Sequence, residues 1–341
     1  MAWQPERDAF RDGAAPDPFE LDRHLAVHGI DTTLIDPGRR PRNPLAGRGT
    51  VLESLDPMRA LRVMLAERQA DIVVSVFEGA ALPIALLRRA LLFRVPLVVW
   101  DLGLTETWPL RERILDQVVP RVDGVFVLSA SQKTYVENRW HRQHGVEWLG
   151  HAVDVTFFQP QPANTADNIP LLSIGDDAGR DMPTLLAAMA GLHAKLLIKT
   201  SRLPENQILP ANVSVLRDRI SALALRGLYA NCRIVVLALH PTLNASGVSA
   251  ILEAGAMGRA MIVSDNPAIR DFIVPDETCL VVPCGDAIAL RAAIDRLLRE
   301  PDTCARLGAN ARRFIERTCS RSVLAARLAS LLRQYAKPES P

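Results

Sequence analysis

Short aliphatic and β-branched runs alternate along this chain with amphipathic stretches of helical period, the pattern of parallel α/β layers. In the first half, Ile30–Ile35, Ile72–Val76, Leu97–Trp100 and Val125–Leu128 read as strands. Pro57–Gln69, Ala80–Phe93, Trp108–Val119 and Ser131–Gln143 read as helices. Pro57 stands where a helix would begin, with Ser54 and Asp56 before it as capping candidates. The rhythm breaks at Phe157–Pro170, where prolines, Asn and Thr follow no period, and this stretch reads as an interdomain connection. Beyond it, Leu171–Ile174, Lys195–Lys199, Val213–Leu216, Ile234–Leu239, Ala260–Val263 and Leu280–Val282 are expected to be strands. Helices are expected at Met182–His193, Ser221–Ala230, Val248–Met257, Ala287–Arg299, Arg306–Arg317 and Val323–Tyr335. Two doubly wound α/β domains follow, residues 1–155 and 171–320 about a connection at 156–170, with ligands at the carboxyl ends of their strands. A first domain of this kind opens on an apolar strand, and Met1–Ala26 offers none. That strand is expected either as a stub at Met1–Trp3 or upstream of the start.

Composition narrows the classes. At 341 residues and 48% hydrophobic, the chain can bury a core in each of two domains. Forty basic against 38 acidic residues leave a net charge of +2, which argues against a nucleic-acid binder. No apolar run reaches the roughly 18 residues that span a bilayer, and Met1 opens onto polar sequence rather than a signal peptide. Five cysteines, all in the second half and without Cys-x-x-Cys spacing, favour reduced thiols in the cytoplasm over a disulfide framework or zinc site.

The stretch from Leu239 to Asp265, LHPTLNASGVSAILEAGAMGRAMIVSD, carries the most chemistry. A buried strand leads into a small polar turn with Asn244, Ser246 and Gly247, and a helix starts near Val248. Free N–H groups and the positive end of the helix dipole favour an anion there, most simply a phosphate. Glu253 lies six residues past Gly247, about 9 Å along the axis, where a carboxylate can accept from a ribose diol. The plainer alternative is that Ser246 caps a helix whose Glu253 faces solvent. Asp101 and Glu78 each stand just beyond a strand, either as carboxylates at a cleft edge or as helix caps. His151 and His240 have no metal-ligand spacing with a second histidine, and there is no Asp-x-Asp. Arg88, Arg89 and Arg94 flank an apolar helix and are candidates for peripheral contact with anionic lipid, or simply for a solvated face.

Five segments together resemble the retaining glycosyltransferases of family 4: LEAGAMGRAMIVSD, LLSIGDDAGRDMPTLLAAM, WLGHAVDVTFFQP, LVVWDLGLTETW and VDGVFVLSASQKTYV. The resemblance implies a GT-B fold, in which two Rossmann-like domains face each other across a cleft, and a final helix over 321–341 that packs back toward the first domain. It also implies transfer of a sugar, with retention, from a nucleotide-sugar donor to a glycan, lipid-linked or small-molecule acceptor, as in polysaccharide biosynthesis. Neither a metal nor a cofactor is implied. By the same resemblance Glu253 holds the ribose, while Gly175, Arg180, Lys199, Asn244, Ser246, Gly247 and Val248 meet the rest of the donor. Asp101, Glu78 and Arg180 are the catalytic candidates. Two positions depart from the family pattern. Ala245 stands where the family has its first glutamate, and Asp176 where it has its first basic residue, with Lys199 as a replacement charge. These departures favour a rival reading, a degenerate GT-B protein that binds nucleotide sugar or serves as a scaffold without turnover. Another GT-B enzyme, an epimerase or a phosphorylase, is the second rival; Lys133, Lys195, Lys199 and Lys337 lack a motif for a cofactor Schiff base.

Overall fold

A computed structural model describes residues 13–17, 20–35, 57–66, 70–76, 78–88, 94–100, 109–162 and 169–336. The chain divides into two compact units. One holds Asp22–Gly150 together with Ala325–Pro341; the other holds His151–Leu324 and the described residues before Asp22.

The sheet of the first unit comprises β1 (Val73–Val76), β2 (Leu97–Trp100), β3 (Gly124–Val127) and β4 (Val146–Trp148), parallel throughout and hydrogen-bonded in that order. Every residue of β3 is buried, as a parallel strand covered on both faces requires. Helices α1 (Glu20–Val27), α2 (Pro57–Ala66), α3 (Glu78–Leu87), α4 (Pro109–Val118) and α5 (Ala130–Trp140) belong to the same half of the chain. Ser129 caps α5 by accepting from the Gln132 N–H, so the helix begins one residue ahead of its expected start. Two expectations fail here. Ile30–Ile35 is not a strand: residues 31–34 are exposed, and the Asp-Thr-Thr run has no sheet neighbour to bury it. β4 was missed because three residues with Glu147 in the middle are too short for a period to show. Met1–Trp3 lies outside the described residues.

The second sheet runs β10 (Leu280–Val282), β9 (Ala260–Ser264), β8 (Cys232–Leu237), β5 (Ile169–Ile174), β6 (Leu196–Lys199), β7 (Val213–Leu216), again all parallel. Counted from β5, this is the doubly wound dinucleotide-fold order, reversing direction between β5 and β8. Helices α6 (Met182–Met189), α7 (Ala222–Asn231) and α8 (Val248–Ala256) connect strands, and α9 (Ala287–Arg299) follows the last of them. Leu185 and Met189 of α6 meet Leu290, Ile294 and Leu297 of α9 over Ile198, Ile234 and Ile262 in one buried cluster. Two further helices, α10 (Pro301–Thr318) and α11 (Arg321–Arg333), follow without an intervening strand.

From α10, the Arg312 guanidinium donates to the carbonyls of Phe158 at 2.7 Å and Ala256 at 2.6 Å, holding the chain after His151 against the end of α8. Within the first unit, Arg327 of α11 donates to the Leu149 carbonyl at 2.8 Å and lies over the Trp148 ring. Tyr335, just past α11, packs edge-on against Phe126 with centroids 5.9 Å apart.

Candidate functional site

A doubly wound sheet opens a crevice at the carboxyl ends of the two strands where its order reverses. Here those strands are β5 and β8, and the loops leaving them run side by side. Arg180 bridges Leu239 in antiparallel fashion, the Asp181 N–H donates to the Ala238 carbonyl at 2.9 Å, and the His240 N–H to the Gly179 carbonyl at 2.8 Å. Gly175, Arg180, Ser246 and Gly247, which the sequence offered separately, are thereby brought together.

Gly175 leaves β5 at φ +150°, and a Cβ there would stand 2.2 Å from a guanidinium nitrogen of Arg180. Only glycine allows both that backbone and that approach. The Arg180 side chain is buried, its Nε donating to Asp177 at 2.8 Å, while its Nη1 has no hydrogen-bond partner among the described residues. The Ser246 hydroxyl is likewise buried without a partner among the described residues, packed against Gly179. Two such orphaned polar groups in one place cost free energy unless a ligand completes them.

The turn before α8 is tighter than its sequence suggests. The Ser246 N–H donates to the Asn244 carbonyl at 2.7 Å and the Val248 N–H to the Ala245 carbonyl at 3.1 Å. Gly247, left-handed at φ +82°, is the helix N-cap, and its N–H has no partner among the described residues. Of the three N–H groups from Ser246 to Val248, it is therefore Gly247 that faces the positive end of α8 uncommitted.

Lys199 ends β6 and pairs with Asp176 at 3.2 Å. Burial works against the Asp176 carboxylate, but the Ser201 N–H and hydroxyl, together with Lys199, outweigh it and hold the group down at about 2. The charge of Lys199 is thus already matched by the Asp176 carboxylate.

Glu253, on α8, is half-buried rather than a simple surface carboxylate. Burial pushes it up to about 7, against the hydroxyl of Tyr229 and the charge of Arg180, which both favour the ionised form. Tyr229, fully buried near the end of α7, donates to Glu253 Oε2 at 2.9 Å. Nothing in the local pattern marks this tyrosine beyond an aromatic hydroxyl three residues before an apolar strand. His240, on the loop after β8, places Nδ1 3.7 Å from Asp181, whose carboxylate also caps α6 through the Thr184 N–H at 3.0 Å.

In the first unit Glu78 opens α3 directly after β1, buried, and accepts from Arg111 Nε of α4 at 2.5 Å. Asp101 lies outside the described residues. Elsewhere in the second unit an open groove of about 660 Å³ lies beside α6, lined by Met182, Leu186, Leu203, Ile208 and Pro210. It has no converging charged groups. Among the described residues no cluster of three or more His, Cys, Asp or Glu is arranged to hold a metal ion.

Residues 165–314 match the model of the family described as Glycosyl transferases group 1. Among solved structures the chain is similar to sucrose-phosphate synthase from Thermosynechococcus elongatus, with 19% identity and a TM-score of 0.71 over 92% of this chain and 91% of that one. It is also similar to Anabaena HepE in complex with UDP and glucose, at 15% identity and a TM-score of 0.68 over 91% and 88% of the two chains. A glycosyltransferase from Rickettsia africae follows, at 14% identity and a TM-score of 0.66 over 92% and 87%. No curated protein sequence matches. The chain is therefore a pair of parallel-sheet Rossmann-like units of GT-B-like architecture, the second of which carries the match to glycosyl transferases group 1.

Proposed function

We propose that this protein is a glycosyltransferase that takes a sugar from a nucleotide-sugar donor bound at the β5–β8 crevice. One observation carries the reading: a buried guanidinium nitrogen and a buried hydroxyl stand orphaned beside an uncommitted N–H at a helix N-terminus, with a half-buried carboxylate about two turns further on. A nucleoside diphosphate supplies the missing partners, with phosphate oxygens for Arg180, Ser246 and Gly247 and a ribose diol for Glu253. As the bond from the sugar C1 to the diphosphate oxygen breaks, its electron pair passes to the leaving group, and the acceptor oxygen bonds to C1 while its hydroxyl proton passes to the departing phosphate oxygen. Arg180 and the Gly247 N–H are the preorganised partners of that growing charge, with no part assigned to a metal. Transfer with retention, as in family 4, belongs to the same proposal. So do the division at 156–170, cytoplasmic location, an acceptor in polysaccharide assembly, and catalytic roles for Asp101 and Glu78.

The test sets binding beside turnover. Thermal stabilisation by UDP-, GDP-, ADP- and dTDP-sugars identifies the donor, and initial rates are then measured with a range of acceptors. Arg180→Ala is expected to lower turnover more than donor affinity, because charge builds up only as the bond breaks. Arg180→Lys should recover part, as a point charge without the planar fork. Equal losses in both would leave Arg180 a donor grip only. The rival reading, a protein that binds nucleotide sugar without turnover, is favoured by Ala245 and by the Asp176–Lys199 pair, which withholds a second cation. Stabilisation by a donor with no transfer to any acceptor would establish it.

A further inference from the structure

We infer that Tyr229 is a positioning residue for Glu253, its hydroxyl pinning one carboxylate oxygen so that the other is presented to the ribose diol; this rests on the nucleotide reading of the site. Tyr229 is fully buried, and a hydroxyl so placed must find an acceptor. A backbone carbonyl would satisfy it cheaply. The structure instead supplies a carboxylate that burial pushes up to about 7, a perturbation of the kind that clusters at functional sites.

The hydrogen bond has one direction when the carboxylate is ionised. Burial first, then the neighbouring Glu253, raises Tyr229 well above its ordinary range, so its hydroxyl keeps its proton and donates. Oε2 accepts it at 2.9 Å, and Oε1 has no partner among the described residues. The charged and titratable groups around the carboxylate come from separate elements. Tyr229 projects from α7 and Arg180 from the loop after β5, while Cys232 at the start of β8 adjoins the tyrosine and burial holds it up at about 12, as a thiol. From α10, Arg312 is committed to the carbonyls of Val155, Phe158 and Ala256. Tyr229 is thus the only group that fixes the rotation of the carboxylate by a direct hydrogen bond among the described residues.

The test uses Tyr229→Phe, Glu253→Gln and the double variant in the full chain. Whichever of UDP, GDP and ADP binds best is titrated calorimetrically beside its 2′,3′-dideoxy analogue, and the Glu253 carboxyl is followed by carbon NMR against pH. Tyr229→Phe is expected to tighten proton binding at Glu253 roughly tenfold, the lower end for a hydrogen bond to a charged group. It should shrink the preference for the ribose form over the dideoxy form by a similar factor, and change nothing further in the Glu253→Gln background. An unmoved Glu253 titration overturns the inference, as does equal weakening of both ligands, which would make Tyr229 a packing residue. If Tyr229→Phe fails to fold, Glu253→Gln alone decides, since retention of the full ribose preference there removes the group that Tyr229 is said to position. A wild type that binds none of the three, or that ignores the ribose hydroxyls, overturns the nucleotide reading itself and with it the role of Tyr229.

Discussion

Glu253 is the residue whose environment departs furthest from what its position on a helix suggests. Its ordinary value is about 4.5 and burial raises it to about 7, so between those values the native protein holds a proton that the unfolded chain has released. Its contribution to stability is therefore complete below about pH 4.5 and is lost as the pH rises through 7. Nucleotide binding runs the other way, because only the carboxylate accepts from both ribose hydroxyls. We expect nucleotide affinity to rise from pH 6 to pH 8 in the wild type beyond any rise in Glu253→Gln, whose amide does not titrate. Glu253→Ala should weaken binding by roughly 10–150-fold, the equivalent of about 1.5–3 kcal/mol. Calorimetry at matched pH and salt would measure both, and parallel pH profiles in wild type and Glu253→Gln would remove the carboxylate from the ligand's contacts.

Among the elements, the packing of α10 on the turn between α8 and β9 leaves the least room. A Cβ at Gly308 would stand 2.1 Å from the Gly258 carbonyl oxygen and 2.9 Å from its carbonyl carbon, backbone contacts that no rotamer change relieves. Gly308→Ala should cost about 1–3 kcal/mol, the usual penalty of overpacking, as a lower urea midpoint at unchanged slope. The strain would reach the site through α8, which α10 also holds by the Arg312 bond to Ala256. A variant with native stability would show that α10 can shift on α8. The glycine at 175 works differently, since its left-handed backbone and its contact with Arg180 both lie inside the site itself.

For the whole molecule, residues 325–336 belong to the unit that the first half of the chain builds. Tyr335 covers Phe126 and lies where a side chain at Gly124 would otherwise project, with a Cβ there 2.7 Å from its ring. Tyr335→Ala should destabilise the first unit by about 1–3 kcal/mol, less than a fully buried aromatic because this one is only partly covered. Glu78 makes a useful contrast. Its 2.5 Å pair with Arg111 already gives it a structural occupation, so a loss of activity in Glu78→Gln bears on catalysis only where melting shows the fold intact. Hydrogen exchange resolved by segment would place the Tyr335→Ala effect; protection lost around β3 and kept around β8 is the expected result. Uniform loss would mean that the two units unfold as one.

Periodicity along the chain was enough to determine the layers. β2, β10 and α9 lie where their apolar runs end, because a covered parallel strand is apolar throughout and a helix on its face repeats every three to four residues. The small residues before α8 and the basic residue after Gly175 were visible too, since close approach to an anion needs both. What no local pattern carries is which groups meet. The strand order that sets the β5 loop beside the β8 loop is a property of the sheet, and it alone orphans Arg180 Nη1 and Ser246 Oγ side by side. That Lys199 is matched by Asp176, and that two of three turn N–H groups are already used, depends on distances of about 3 Å between residues up to 23 positions apart. Tyr229 and Glu253 are 24 positions apart on different helices. Hydrophobic pattern is local and additive and can be read residue by residue, whereas hydrogen bonding and burial of charge are pairwise and exist only once the chain has folded.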